Sequence, residues 1–185
     1  KNRVYEANNI AMRIYNENKD KKTKNEIVKM IKDALVDIRF NDGRGYFFIY
    51  TFDYECILLP INRENEGKSV RDFQDSRGMY LGREIVKSLE NSKESFLTWH
   101  YPKHDNLHEK DFKKIGFNIH FEPYNWFIGT GEYFIDFEEN MKKEVIEYVS
   151  KLKTNENNYY FILDYDKKAI FQKIDYVIDR SFQKI

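Results

Sequence analysis

Apolar residues recur every three or four positions through the first forty residues of the chain. This spacing predicts two helices, or one long bent helix, with a polar and charged interruption from 18 to 24. Thr23 and Glu26 have the spacing of a capping box, which predicts that a helix restarts there. The apolar positions that define the buried faces are Val4, Ala7, Ala11, Ile14, Ile27, Ile31, Leu35 and Ile38.

An aromatic stretch from 46 to 52 follows two helix-breaking glycines and has the alternation of a strand with two usable faces. One face holds Phe47, Ile49 and Thr51, and the other holds Tyr46, Phe48, Tyr50 and Phe52. A turn at 53–54 and a second strand from Cys56 to Pro60 complete a predicted hairpin.

The rest of the chain predicts an antiparallel sheet with helices beside it. Residues 61–78 have few apolar anchors and predict a loop with room for one helical turn. Helical spacing returns in Met79–Leu89 and Phe137–Leu152, and strands are predicted at Ser95–Tyr101, Phe112–Phe121 and Trp126–Tyr133. Because short turns join most of the strands, the predicted class is α+β, with a sheet of about five strands.

The chain also repeats part of itself. Tyr46-Phe47-Phe48-Ile49 returns as Tyr159-Tyr160-Phe161-Ile162, and each copy follows a predicted helix. A chance match between two aromatic strands is the alternative. We predict an N-terminal helical segment at 1–40, a module at 41–152, and at 153–185 the possible start of a truncated second module.

Composition limits the function classes. The 31 Lys and Arg residues balance the 31 Asp and Glu residues, so the chain lacks the electrostatic field by which a duplex nucleic-acid binder gathers phosphates. Hydrophobic residues make up 41% and aromatic residues 17%, which predicts a folded, soluble chain with one core. No apolar stretch is long enough to span a bilayer, and the start at Lys1 without Met predicts an excised piece of a longer protein.

Two groups of residues carry candidate chemistry, and each has a simpler structural explanation. His100, His104 and His108 have helical metal-ligand spacing, but they fall on a strand end and a loop, which favours an exposed polar loop. Cys56 with a histidine could act as nucleophile and base, but a small buried thiol in a strand is favoured.

Two further motifs also have a simpler structural explanation. Asp72 and Asp75 form a possible carboxylate pair, or they cap a helix and solvate a turn. Gly129-Thr130-Gly131 lies inside a predicted strand, where close packing explains the glycines better than phosphate binding. Since no nucleophile, base and orienting group converge, we predict no catalytic residue, no metal site and no cofactor.

One face of the predicted sheet is dense in rings and hydroxyl groups. It holds Phe48, Tyr50, Trp99, Tyr101 and Lys114. An aromatic wall with one charged group is typical of a pocket for a small polar ligand, whereas the alternative is that these rings only fill the core. Periodicity alone leaves both alternatives open.

A series of short motifs runs from residue 40 to residue 140. They are Gly45–Tyr50, Pro60, Glu66-Gly67-Lys68, Asp75, Gly78, Tyr101-Pro102-Lys103, Lys114–Phe117 and Phe121–Gly131. In order and spacing this series resembles the Cache domains of bacterial extracytoplasmic sensors, and most closely the type often found in tandem.

The resemblance implies a PAS-like antiparallel sheet behind a long N-terminal helix. It implies the periplasmic part of an inner-membrane receptor, with a histidine kinase, a chemotaxis signalling region or a cyclic-dinucleotide enzyme on the cytoplasmic side and no catalysis in this piece. The implied ligand is a small organic acid or amino acid, whose carboxylate pairs with Lys114 or Arg77. The candidate ligand-binding residues are Phe48, Tyr50, Phe73, Arg77, Trp99, Tyr101 and Lys114.

Three positions depart from the family's pattern. Leu59 stands where many relatives have His, Tyr101 replaces a frequent Trp, and Phe117 replaces a frequent Tyr. The loss of two polar groups predicts a ligand less polar than in many relatives, or none. The alternative function is a structural module that pairs two receptors as a homodimer through the N-terminal helix, with a sheet face that is only core.

Overall fold

The computed structural model describes residues 1–101, 111–153 and 159–173. The chain divides into two compact units, Lys1–Ile135 and Asp136–Ile185. In the described residues the first unit combines helices with a five-stranded antiparallel sheet, which confirms the predicted α+β class. None of the helices in the described residues is long and apolar enough to cross a membrane.

The first unit begins with two helices that bury the predicted apolar faces. α1 spans Asn2–Asn18 and α2 spans Lys24–Leu35, so the polar interruption separates two helices. The predicted capping box is confirmed at the start of α2. The Thr23 N–H donates to Glu26 Oε2 at 2.8 Å, and Thr23 Oγ1 accepts from the Glu26 N–H at 3.4 Å.

Five strands form the antiparallel sheet of this unit in the order β2-β1-β5-β4-β3. Their bounds are Phe48–Thr51 for β1, Cys56–Leu58 for β2, Glu94–Tyr101 for β3, Phe112–Phe121 for β4 and Trp126–Tyr133 for β5. β1 and β2 form the predicted hairpin. β2 ends earlier than predicted, because the Leu59 N–H donates to the Glu66 side chain at 3.3 Å instead of to a neighbouring strand.

α3 spans Leu81–Glu90 and is reached through a loop that contains the predicted helical turn, a 3₁₀ turn at Arg63–Asn65. The helix starts two residues later than predicted. The delay has a local cause, because the Met79 N–H donates to the Asp75 carboxylate at 2.9 Å and is thereby held in the loop.

The two faces of the sheet pack into two separate cores, as the predicted alternation requires. One face packs against α1 and α2 through Phe47, Ile49, Leu58, Phe117, Phe121, Trp126 and Ile128. The other face packs Phe48 and Phe127 against Ile85, Val86 and Leu89 of α3. Side chains of β1 that are adjacent in sequence therefore belong to different cores.

Glycines in β4 and β5 are required by close packing, which confirms that explanation of the Gly129-Thr130-Gly131 motif. A Cβ atom at Gly129 would lie 2.4 Å from both Asn118 Oδ1 and the Phe48 ring. A Cβ atom at Gly116 would lie 2.4 Å from the Trp99 ring. These glycines let large side chains lie flat against the sheet.

The described part of the second unit consists of most of a helix and a hairpin. α4 spans Phe134–Lys151 and starts three residues before the predicted Phe137, because no glycine or proline separates it from β5. β6 at Tyr160–Leu163 pairs antiparallel with β7 at Ala169–Lys173. β6 coincides with the second copy of the aromatic motif, and the assignment of 153–185 to a second module stays a prediction.

Candidate ligand-binding site

A cavity of about 110 Å³ lies on the face of the sheet that packs against α3. The sheet supplies one wall, and α3 and the loop of residues 59–80, here called the covering loop, supply the other. The lining residues are Tyr46, Phe48, Tyr50, Leu59, Ile61, Asn62, Asn65, Val70, Phe73, Leu81, Gly82, Ile85, Trp99, Tyr101, Lys114 and Phe127.

The structure brings most of the predicted site residues together at this cavity. Phe48, Tyr50, Phe73, Trp99, Tyr101 and Lys114 all line it. Arg77 does not line it, because its guanidinium group is turned to Asp111, with Nε 3.0 Å from Oδ1 and Nη2 2.6 Å from Oδ2. In this exposed ion pair two nitrogen atoms of the guanidinium group bind the carboxylate outside the cavity.

Lys114 is the charged group of the cavity wall. Its residue surface is only 5% exposed. Three aromatic rings surround its ammonium group, with Nζ lying 4.3 Å from the centroid of Tyr133, 5.7 Å from that of Tyr46 and 5.9 Å from that of Trp99. Aromatic faces stabilise a cation electrostatically, so these rings allow a positive charge to lie in an apolar wall.

Tyrosine hydroxyl groups supply the polar atoms of the sheet wall. Burial raises the pKa values of Tyr46, Tyr50 and Tyr101 above the ordinary value of 10.0. These phenols are therefore neutral at physiological pH, and a neutral phenol can donate one hydrogen bond; that of Tyr50 is hydrogen-bonded to the Cys56 side chain. The wall thus combines one cation, neutral donors and rings.

The covering loop is fastened to the sheet by Asp75, which is 7% exposed. Its carboxylate accepts hydrogen bonds from the backbone N–H groups of Arg77 and Met79, both at 2.9 Å, and of His100 in β3 at 3.0 Å. Asp72 instead accepts from the Arg83 guanidinium group. The two aspartates therefore form no carboxylate pair, and the interpretation of Asp75 as a turn-forming residue is confirmed.

A second carboxylate ties the covering loop to α2. Glu66 Oε2 lies 2.7 Å from Lys32 Nζ, and Oε1 lies 2.6 Å from Arg63 Nε. The same Oε1 accepts from the Leu59 N–H. Burial raises the pKa of Glu66, but its hydrogen bond with Lys32 and its other partners outweigh burial, and the net pKa is lowered from 4.5.

Several lining residues were not among the predicted site residues. Tyr46 and Phe127 share the sheet face of Phe48, and strand alternation was a signal that could have included them. The additional residues from the covering loop and α3 are Leu59, Ile61, Asn62, Asn65, Val70, Leu81, Gly82 and Ile85. No periodicity marks the loop residues among them, because an irregular loop has no fixed face.

The remaining candidates either do not line this cavity or lie outside the described residues. Cys56 is fully buried in β2, which confirms the structural interpretation of its thiol. His104 and His108 lie outside the described residues, and within those residues no cluster of three potential metal ligands occurs. Phe117 packs in the core beside α1, so its departure from the family pattern removes no polar group from the cavity.

Comparisons with known proteins give a family and a fold. The family model described as a Cache domain matches residues 1–180. The periplasmic sensor domain of a chemotaxis protein is 22% identical, with a TM-score of 0.64 over 71% of this chain and 90% of that chain.

Two further solved structures have the same fold. One, described as showing carboxylic acid recognition by a Cache chemosensory domain, is 21% identical, with a TM-score of 0.65 over 71% of this chain and 88% of that chain. A methyl-accepting chemotaxis protein from Vibrio parahaemolyticus is 22% identical, with a TM-score of 0.56 over 71% of this chain and 86% of that chain. At these identities the similarity establishes the fold.

Proposed function

The chain belongs to the Cache domain family, as its motifs predicted, and from this premise we propose that it is the ligand-sensing domain of a bacterial receptor. Its ligand is a small organic acid or amino acid, bound in the cavity between the sheet and α3. The observation that carries the proposal is Lys114, a buried cation on an aromatic wall. The similar domain described as recognising a carboxylic acid supports the same class of ligand.

The proposed mechanism starts with the carboxylate of the ligand. Lys114 pairs with it by a charge-assisted hydrogen bond, and the neutral tyrosine hydroxyl groups orient it. The rest of the ligand contacts the covering loop through residues such as Ile61 and Phe73. Binding therefore favours one arrangement of this loop over others.

The covering loop offers a route from the cavity to the N-terminal helices. Glu66 lies within the loop, next to the lining residue Asn65, and its carboxylate pairs with Lys32 of α2. α1 and α2 share one core with the sheet. A change in the loop on ligand binding is therefore passed to the helices as a shift in population.

The proposal also includes the cellular location of the domain and the kind of protein that contains it. We place it in the periplasm, as the non-catalytic sensing part of an inner-membrane receptor whose cytoplasmic output is a kinase, a chemotaxis signalling region or a cyclic-dinucleotide enzyme. A homodimer through α1 is the proposed assembly. The related periplasmic sensor domain of a chemotaxis protein supports this setting.

A thermal-shift screen of the purified chain against small carboxylates and amino acids tests the proposal. A ligand that binds only the folded state, at about 100 times its Kd, adds roughly 2.7 kcal/mol to the free energy of unfolding and raises the melting temperature. A clear shift with a member of the panel supports a sensor. No shift across the panel contradicts it and favours the structural module.

Tryptophan fluorescence locates the bound ligand. The chain has two tryptophans: Trp99 lines the cavity, and Trp126 packs in the core beside α1 and α2. A ligand in the cavity should change the emission of the wild type and of Trp126→Phe, but not that of Trp99→Phe. The opposite dependence on the two substitutions places the ligand elsewhere.

A further inference from the structure

Asn118 is a polar residue without a hydrogen bond in the core beneath α3. Its residue surface is 0% exposed, and neither Oδ1 nor Nδ2 of its side chain has a hydrogen-bond partner in the part of the chain that the structure describes. A buried amide without partners destabilises a fold, and most buried polar groups in proteins are paired. The unpaired amide of Asn118 therefore indicates a role other than stability.

Two serine hydroxyl groups lie beside Asn118. Strand register places Ser95 of β3 directly opposite Asn118 of β4. Ser95 Oγ lies 2.8 Å from Ser88 Oγ of α3, and Ser88 Oγ lies 2.7 Å from the Ile85 carbonyl oxygen. A serine hydroxyl has one proton, so when Ser88 donates it to this carbonyl, Ser95 is the donor between the two hydroxyl groups. The Ser95–Ser88 bond ties α3 to the strand at the edge of the sheet.

The Ser95 hydroxyl group has a second partner within reach. Residues directly opposite each other in an antiparallel pair have Cβ atoms about 4.5–5.5 Å apart, a distance that a rotated hydroxyl and amide can bridge. When Ser95 donates to Asn118 instead of Ser88, the buried amide gains a partner, and Ser88 keeps its bond to the Ile85 carbonyl. Both arrangements contain the same number of hydrogen bonds among these groups, as a two-state switch requires.

Both ends of this row of polar groups adjoin the cavity. Ile85, whose carbonyl accepts from Ser88, is a lining residue. At the other end, the lining residue Phe48 adjoins Asn118, because the Phe48 ring and Asn118 Oδ1 both lie 2.4 Å from the position that a Cβ atom at Gly129 would occupy. A ligand that displaces the Phe48 ring therefore changes the space in which the Asn118 amide can turn.

We propose that Ser88 and Asn118 are alternative partners of the Ser95 hydroxyl group and form a switch beneath α3. In the tied state Ser95 binds Ser88 and holds α3 on the sheet, and in the released state Ser95 binds Asn118. The inference rests on the proposed function for its trigger, a ligand in the adjoining cavity. It differs from the route through Glu66 and α2, because it acts on α3.

Hydrogen exchange measured by mass spectrometry on the chain without ligand tests the switch. Asn118→Val removes the second partner of Ser95, so Ser95 stays bound to Ser88. We expect the amides of residues 86–90 in α3 to exchange at least about threefold more slowly than in the wild type, with the amides of α1 as the internal reference. Asn118→Ala serves as the second variant if the valine chain does not fold, because alanine also offers Ser95 no partner.

Ser95→Ala is the background that separates a switch from a purely structural role. Without the Ser95 hydroxyl group α3 is untied, and we expect its amides to exchange at least about threefold faster than in the wild type. Adding Asn118→Val to Ser95→Ala should then change nothing, because the group that exchanges between partners is gone. Neither substitution lies in α3, so the intrinsic exchange rates of its amides stay the same.

The outcomes decide the switch independently of the proposed function. Slower exchange that requires the Ser95 hydroxyl group supports the switch. Equal slowing by Asn118→Val with and without that hydroxyl group, or no slowing at all, overturns it. A thermal-shift screen without a hit contradicts the proposed function instead, since the exchange experiment needs no ligand.

Discussion

At the scale of single residues, the charged groups near the cavity differ in where they point. Glu66, Asp75 and Arg77 bind protein partners outside the cavity, and Lys114 lies on the cavity wall. Among the described residues Lys114 is the only formally charged side chain of that wall. The chemistry of the site is therefore set by one cation and its rings.

The burial of the single cysteine leads to a prediction about its rate of alkylation. Burial raises the pKa of the Cys56 thiol to about 11, so the reactive thiolate is scarce at neutral pH, and the side chain is closed to solvent. We expect iodoacetamide to alkylate the native chain at least about tenfold more slowly than the urea-unfolded chain. Mass spectrometry of timed samples measures both rates, and equal rates would show that Cys56 is accessible in the folded state.

The close approach of Trp99 to β4 leads to a second prediction, about the stability of a glycine variant. Gly116→Ala places a Cβ atom 2.4 Å from the Trp99 ring, which must move, and we expect a loss of about 1–3 kcal/mol in the free energy of unfolding. Gly82→Ala is the matched control, because its Cβ meets nothing closer than 3.4 Å and alanine favours the α3 helix. Urea denaturation compares the two, and a Gly116→Ala chain as stable as Gly82→Ala contradicts the packing described.

Residue positions were predictable where a regular element fixes them. Alternation along β1 placed Phe48 and Tyr50 on one face, and the structure confirms that they share it. Arg77 was different, because its orientation depends on Asp111, 34 residues away in the chain. The replacement of a frequent Tyr by Phe117 was interpreted as the loss of a polar group from the site, although Phe117 lies in the core beside α1.

At the scale of elements, the covering loop is held at both of its ends. Glu66 fastens its beginning to α2, and Asp75 fastens its end to β3. These contacts explain the boundaries that the sequence pattern missed, because they remove the Leu59 and Met79 N–H groups from the strand and helix that were expected there. Local periodicity contains no information on such long-range side-chain to backbone bonds.

The backbone hydrogen bonds that Asp75 accepts lead to a prediction about stability in acid. Burial raises the pKa of Asp75, but hydrogen bonds from three backbone N–H groups outweigh burial, and the net pKa lies below the ordinary 3.8. The stabilisation is therefore present above that value and is lost as the pH falls through the lowered pKa of the folded state. We expect Asp75→Asn to reduce the free energy of unfolding by about 1–3 kcal/mol at pH 7, and by less at pH 2.

Asp72→Asn is the control for this prediction. Asp72 lies in the same loop, but its side chain is 81% exposed and forms an ion pair with Arg83. Exposed ion pairs contribute about 0–1 kcal/mol, so this variant should stay close to the wild type. Urea titrations at both pH values measure the differences, and a constant Asp75→Asn effect from pH 7 to pH 2 would show that the carboxylate charge is not what holds the loop.

At the scale of the whole molecule, the sheet of the first unit separates two functions. One face carries the cavity, and the other carries the helices proposed to transmit the signal. The alternating apolar pattern and the motifs together predicted this arrangement, and the family match confirms it as a Cache domain. Whether the residues after 152 begin a second module stays a prediction.

Calorimetry on Lys114→Met with the carboxylate that gives the largest thermal shift tests the central claim most directly, since Met keeps the approximate length of the side chain and removes its ammonium group. Lys113→Met is the matched control, because Lys113 is the exposed neighbour on the opposite face of β4, where its ammonium group lies 4.7 Å from the Phe134 ring. We predict that Lys114→Met weakens binding at least about tenfold and that Lys113→Met leaves it unchanged. Equal affinity of the wild type and Lys114→Met would contradict the assignment of this cavity as a carboxylate site.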